Sequence, residues 1–221
     1  MSVSPMKTWY TIRAARKTAE LRIYDEIGLW GVSAKQLLDE LTALGDLQRL
    51  DVRIHSPGGD VYDALAIHNA LQRYGGPITV HIDGLCASAA TVVALAGDEV
   101  RMVSNGQFMI HEPWTVTAGD ADDHQRRADL LDKTADQIVG IYARKSGLDA
   151  PQIRELMRAE TWMSAQQAFE QGFIDAIDEP LRIAARVFDL SRFTHPPRGV
   201  SMAEVADPAI PEDAVQAEPE T

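Results

Sequence analysis

Three short stretches carry the residue types that acyl transfer needs. In Gly84-Leu85-Cys86-Ala87-Ser88-Ala89-Ala90 a serine sits among small residues, between a strand-like run, Ile78–Ile82, and a small-residue helix over Ser88–Ala96. A hydroxyl at such a strand-to-helix turn is exposed, and the positive end of the helix helps an anion form there. The same position also suits a plain helix N-cap, the commoner use of a serine. In Met109-Ile110-His111-Glu112-Pro113-Trp114 a histidine closes an apolar strand ahead of a proline. An imidazole titrates near neutral pH and can act as a general base, although a lone histidine is more often a packed, hydrogen-bonded residue. In Ser56-Pro57-Gly58-Gly59 the paired glycines permit either a simple turn or a loop whose bare N–H groups face a developing oxyanion. The serine segment is not a Gly-x-Ser-x-Gly elbow, which disfavours an α/β-hydrolase. His55, beside the glycine pair, is a rival base; His68, His81, His124 and His195 lack a comparable setting.

The elements that must position these residues alternate between strand and helix. Glu20–Asp25 alternates polar and apolar residues, as a half-buried strand does. Ser33 and Gln36 fit a capping box ahead of Leu37, Leu38, Leu41 and Leu44 at helical spacing. Val52–Ile54 lies in a second strand that runs into the Ser56–Gly59 loop. A helix from about Val61 to Tyr74, with Leu65, Ile67, His68 and Leu71 inward, is ended by Gly75-Gly76-Pro77. Short strands are predicted near Glu99–Val103 and Gln107–Ile110, then a long helix over Asp120–Lys145 with Leu131, Ala135, Ile138 and Tyr142 on one stripe. A helix over Ala150–Ala159, a second capping box from Ser164 to Gln167, and a strand over Phe173–Ile177 complete the pattern. This βαβαβ order implies an α/β fold with a mostly parallel sheet and right-handed crossovers.

Composition narrows the class. The 221 residues, 45% of them hydrophobic, suffice for one globular domain with a tail. A net charge of −12 offers no basic face for a phosphate backbone, so nucleic acid is not the expected partner. The single cysteine, Cys86, excludes an intramolecular disulfide and a CxxC metal site, and fits a reducing compartment. Neither a signal peptide nor an apolar run of membrane-spanning length is present, so a soluble cytoplasmic protein is expected. From Thr194 onward the chain is rich in Pro, Ala and acidic residues, with no Lys or Arg after Arg198, and is expected to be disordered. The domain layout expected is therefore an N-terminal segment over 1–19, a catalytic domain over 20–193 and an acidic tail over 194–221.

Together the three motifs resemble those of the proteolytic subunit of the Clp protease, over about Glu20 to Asp178. In that family a Ser-Pro-Gly-Gly loop supplies part of the oxyanion hole. The nucleophile lies in Gly-x-Ala-Ala-Ser and the base in Met-Ile-His-x-Pro. Here these match Ser56–Gly59, Gly84–Ser88 and Met109–Pro113, with Gly59 preceding Ser88 by 29 positions. The resemblance implies a Clp/crotonase-like spiral of ββα units and a serine endopeptidase. Ser88 would be its nucleophile, His111 its base, and the backbone N–H groups of Gly59 and Ala89 its oxyanion hole. Cys86 replaces an alanine of the family motif and, as a small hydrophobe, should not alter the chemistry. The family's aspartate falls on Glu160, in Glu160-Thr161-Trp162-Met163-Ser164. A glutamate can still hold the imidazole's tautomer, with one more rotor to fix; Asp175 and Asp178 are the fallback acids.

The resemblance further implies a ring oligomer, heptameric or in stacked rings, with Asp120–Lys145 as a handle helix between rings. Leu21–Gly28, Trp30–Lys35, Ser56–Val61, Ala66–Leu71 and Glu160–Trp162 are similar to the phage and prophage branch, associated with capsid (prohead) maturation. A capsid or scaffold polypeptide would then be the substrate, and no metal, nucleotide or other cofactor is required. The alternatives are a housekeeping Clp subunit working with an ATPase, a degenerate protease kept as a capsid scaffold, and an acyl-CoA enzyme of the crotonase superfamily.

Overall fold

The computed structural model describes residues 8–15, 17–28, 33–45, 48–180 and 188–196. Eight strands form one sheet: β1 (Tyr10–Ala15), β2 (Thr18–Ile23), β3 (Arg49–Ser56), β4 (Ile78–Ala87), β5 (Glu99–Val103), β6 (Gln107–Ile110), β7 (Thr161–Ser164) and β8 (Ala176–Asp178). The main path runs β1-β2-β3-β4-β5-β8, and β6 and β7 branch from β4. From β2 to β8 along that path every pairing is parallel, whereas β1 pairs β2, and β6 pairs β7, in antiparallel fashion. The sheet therefore starts at Tyr10, upstream of the expected domain start at Glu20. The β1–β2 hairpin is what the sequence analysis missed, because Tyr10–Ala15 (YTIRAA) has only a short apolar alternation.

Among the described residues six helices connect and cover the strands: α1 (Ala34–Ala43), α2 (Val61–Gln72), α3 (Ala89–Ala94), α4 (Ala121–Ser146), α5 (Ala150–Arg158) and α6 (Ala165–Glu170). The core is a single large cluster in which Leu21, Val52, Ile54, Ile67, Val80 and Phe108 are wholly buried. Each such side chain contributes about 1.5–3 kcal/mol. The expected α1 capping box does not form: Ser33 is the N-cap, but its side chain caps nothing. The second box does, with Ser164 and Gln167 satisfying each other's backbone N–H groups. Residues 29–32, within the expected Trp30–Lys35 similarity, and the tail over 197–221 lie outside the described residues. Thr194–Pro196, on the tail side of the expected boundary at Phe193, are described.

Two features of this scaffold place the site. First, β4 is longer than its first five residues suggest, and it changes partner along its length. Thr79–Ile82 pairs with β5, and Leu85–Ala87 pairs with β6. Between β3 and β4 the register jumps: Ile54 faces Ile82, but Ser56 faces Cys86. Two steps on β3 thus match four on β4, a bulge that swings the end of β4 toward the loop after β3. Asp83 and His55 brace it. The buried Asp83 carboxylate accepts from Arg53 Nε at 2.7 Å and from the Tyr24 hydroxyl, and the Leu85 N–H donates to His55 Nδ1 at 3.0 Å. Second, α4 spans 26 residues, about 39 Å. Its C-terminal half buries Ala135, Ile138 and Tyr142, while its N-terminal half stands in solvent apart from the half-buried Asp123 and Leu131. No helix among the described residues is long and apolar enough to cross a membrane.

Candidate active site

Ser88 joins β4 to α3 with φ 55° and ψ −128°, a conformation that L-residues rarely adopt. Strain of this kind costs on the order of 1–3 kcal/mol and persists only where the surroundings impose it. They do so here. The Ser88 N–H donates to the Met109 carbonyl at 2.9 Å, and its carbonyl accepts from the Thr91 N–H at 3.0 Å and the Thr91 hydroxyl at 2.6 Å. Thr91 is in turn 2.6 Å from the hydroxyl of buried Tyr142 on α4. Although Ser88 occupies the N-cap position, its hydroxyl does not cap the helix. It lies 2.7 Å from His111 Nε2. The hydroxyl thus points to the histidine and not to the helix end.

His111 follows β6. Burial is the main reason its pKa falls below the ordinary value; the nearby Arg192 charge lowers it too, and Glu160 pulls the other way. The imidazole is therefore held neutral and able to accept a proton at neutral pH. The rival histidine is placed differently. His55 is buried at the β4 bulge, against Tyr24 and Phe188, and its Nδ1 takes the Leu85 N–H. Cys86 is fully buried, which pushes its thiol pKa up and makes it a poor nucleophile.

The glycine loop lies directly against the serine turn. A Cβ on Gly58 would come within 2.7 Å of both the Ala87 carbonyl oxygen and Ser88 Cβ, and its φ is +98°. The Gly58 N–H donates to Ser56 Oγ at 3.2 Å, and its carbonyl accepts the Ile27 N–H at 2.7 Å. That second bond fixes the Gly58–Gly59 peptide with its N–H on the opposite side. Among the described residues no hydrogen bond uses the Gly59 N–H, and Ala89, as the first residue of a helix, has no carbonyl within α3 to accept from it. Gly59, Ser88, Ala89 and His111 all line one cavity of about 450 Å³. Its walls are apolar toward α4 (Leu130, Leu131, Ile138) and charged at Glu26, Asp60, Arg127 and Arg192.

Glu160 lies one step beyond the last β6–β7 pair, Ile110 with Thr161, and so faces His111 across the ladder. No hydrogen bond joins the two among the described residues. The carboxylate is turned instead to the segment after β8, where it accepts the N–H groups of Thr194 at 2.7 Å and His195 at 2.6 Å. The Trp162 indole N–H adds a third bond at 3.2 Å. These bonds outweigh its burial and hold its pKa low. Both fallback acids serve elsewhere. Asp175 accepts from the Val100 N–H and pairs with Lys145, and Asp178 pairs with Arg101.

A model of the Clp protease family matches residues 7–180. The chain belongs to the Clp protease family. Among curated relatives, the ATP-dependent Clp protease proteolytic subunit 1 of Salinibacter ruber is 30% identical over 157 residues, covering 70% of this chain and 66% of its own length. The ATP-dependent Clp protease proteolytic subunit of Leuconostoc citreum is 32% identical over 141 residues, covering 62% of this chain and 70% of its own. The chain thus spans about two thirds of the length of these relatives. In fold it is similar to a solved ClpP1 mutant from Listeria monocytogenes, with a TM-score of 0.64 and 24% identity over 72% of this chain and 91% of that one. The spiral α/β fold expected from the motifs is the fold of this Clp-family chain.

Sequence reasoning missed Arg192, Phe193 and the Thr91–Tyr142 support in this Clp-family site. Arg192 bonds Glu26 at 2.5 Å and the Pro57 carbonyl at 3.1 Å, and Phe193 sets its ring edge-on to both His111 and Trp162. The one available signal was the apolar spacing of Phe188, Leu190 and Phe193, which continues right up to the polar tail.

Proposed function

We propose that the chain is a serine endopeptidase acting through an acyl-enzyme. The Ser88 oxygen attacks a peptide carbonyl, and His111 Nε2 takes the hydroxyl proton. The oxyanion is bound by the Gly59 and Ala89 N–H groups, the amine leaves with the proton from His111, and water releases the acyl group by the reverse steps. The observation that carries this reading is the 2.7 Å contact between Ser88 Oγ and His111 Nε2, made by a serine whose backbone is strained and whose hydroxyl serves no cap. Glu160 is the carboxylate assigned to orient His111 in this reading, and no cofactor takes part. Ser88→Ala should abolish labelling by a fluorophosphonate and lower peptide cleavage by about 10⁶-fold; retained cleavage would sink the assignment.

Self-association into a ring belongs to the same reading. The protruding half of α4, with Leu130 part-exposed beside the cavity, is a surface suited to a second copy. Similarity of Leu21–Gly28, Ser56–Val61 and Glu160–Trp162 to the phage and prophage branch supports prohead maturation in the host cytoplasm, with a capsid or scaffold polypeptide as substrate. Processing of a co-expressed capsid protein, lost in Ser88→Ala, tests that role. The second reading is a housekeeping subunit working with a Clp ATPase. It is favoured by the relatives' own description as ATP-dependent proteolytic subunits, and co-purification with such an ATPase separates the two.

A further inference from the structure

The segment 188–196 lies across the site. Its contacts fall on three catalytic elements at once. Arg192 grips the glycine loop through the Pro57 carbonyl and sits in the cavity rim beside Glu26. The Phe193 ring is 5.4 Å from that of His111. The backbone N–H groups of Thr194 and His195 engage both carboxylate oxygens of Glu160.

Two of these contacts bear on the charge of His111. Attack by Ser88 turns His111 into an imidazolium, which a carboxylate on its other nitrogen would stabilise. The segment draws that carboxylate toward its own backbone with two charge-assisted bonds, and no hydrogen bond joins Glu160 to the imidazole among the described residues. It also brings a guanidinium near the ring, and that charge opposes the imidazolium. Both effects disfavour the charged intermediate, and both vanish together if the segment lifts.

We propose that residues 188–196 are an autoinhibitory strap, which when docked diverts Glu160 from His111 and when released lets Glu160 take the imidazole N–H. The proposal rests on the reading of Ser88 and His111 as the catalytic pair. The strap is built to come away. Its apolar anchors are Phe188, Leu190 and Phe193 in a small cluster with Leu85, Ala87, Met109 and Trp162, separate from the main core. Among the described residues its remaining hold is one ion pair, ring contacts to His55 and His111 and a few backbone bonds, and segments of this kind occupy the low end of local stability.

The test is the rate at which a fluorophosphonate labels Ser88, a reaction that forms the oxygen–phosphorus bond, expels fluoride and leaves the hydroxyl proton on His111. Two strap-loosening variants of the full chain are compared with the parent: Arg192→Ala with Phe193→Ala, and His195→Pro, which deletes one N–H donor to Glu160. Labelling should accelerate at least about tenfold, the scale of one charge-assisted hydrogen bond. The acceleration should disappear when Glu160→Gln is added to either variant. A rate that is unchanged or lower, or a rise that survives Glu160→Gln, overturns the strap. Absence of labelling in every form, parent included, overturns the catalytic pair and the strap with it.

Discussion

The two sides of His111 are built to different standards. On the Nε2 side, Ser88 hangs from the ends of long strands. β4 carries it, β3 carries the loop beside it, and backbone bonds from Met109 and Thr91 hold its strained turn. On the other side, Glu160 stands at the mouth of a four-residue antiparallel pairing, at φ 48°, tied to a segment more than thirty residues further along the chain. One side is fixed by the core, the other by contacts that can exchange. On the proposed reading, position of the nucleophile is a property of the fold, and engagement of the acid a property of a local equilibrium.

That contrast can be broken on its rigid side first. Gly58→Ala forces a Cβ against the Ala87 carbonyl and Ser88 at a φ of +98°. Peptide cleavage should fall by about 10²–10³-fold, as for a lost oxyanion donor or a misplaced reacting group, with folding retained by circular dichroism. A near-normal rate would mean the loop is free to move away. On the adjustable side, Glu160→Gln in the otherwise intact chain should change kcat by less than about tenfold. A carboxylate bonded directly to its imidazole would cost about 10⁴-fold when lost. A loss of that larger size would place Glu160 on His111 in the working state. The smallest effect expected is on the pH profile. Because His111 is shifted below its ordinary value, its neutral form persists to lower pH. The acid limb of kcat/KM should therefore lie below about pH 6.5, and a limb above that value contradicts the neutral base.

The same contrast decides what could be read from residues alone. Ser88, His111 and the Gly58-Gly59 pair announce themselves because each marks the end of a strand, and strand ends are legible from local apolar runs and glycine or proline punctuation. The parallel sheet, the long α4 and the Ser164 box followed from periodicity for the same reason. The β1–β2 hairpin was not legible, since its apolar alternation is too short to separate from a polar leader. Ser33 reads as half of a capping box, yet its hydroxyl makes no cap, which no spacing rule distinguishes. The orientation of the Glu160 carboxylate depends on partners more than thirty residues away, at Thr194 and His195, in a stretch whose composition reads as a tail. Long-range polar pairing leaves no periodic trace.

The register jump at the centre of the sheet sets two demands on β4 in opposition. Between Ile82 and Cys86 the strand holds two residues more than β3 offers between Ile54 and Ser56. Deleting that surplus would restore regular pairing and give a tidier, more cohesive sheet. It would also draw Ser88 back by about 7 Å, the rise of two strand residues, away from the glycine loop. The irregularity is therefore one that selection for stability alone would not build and selection for reactivity must defend.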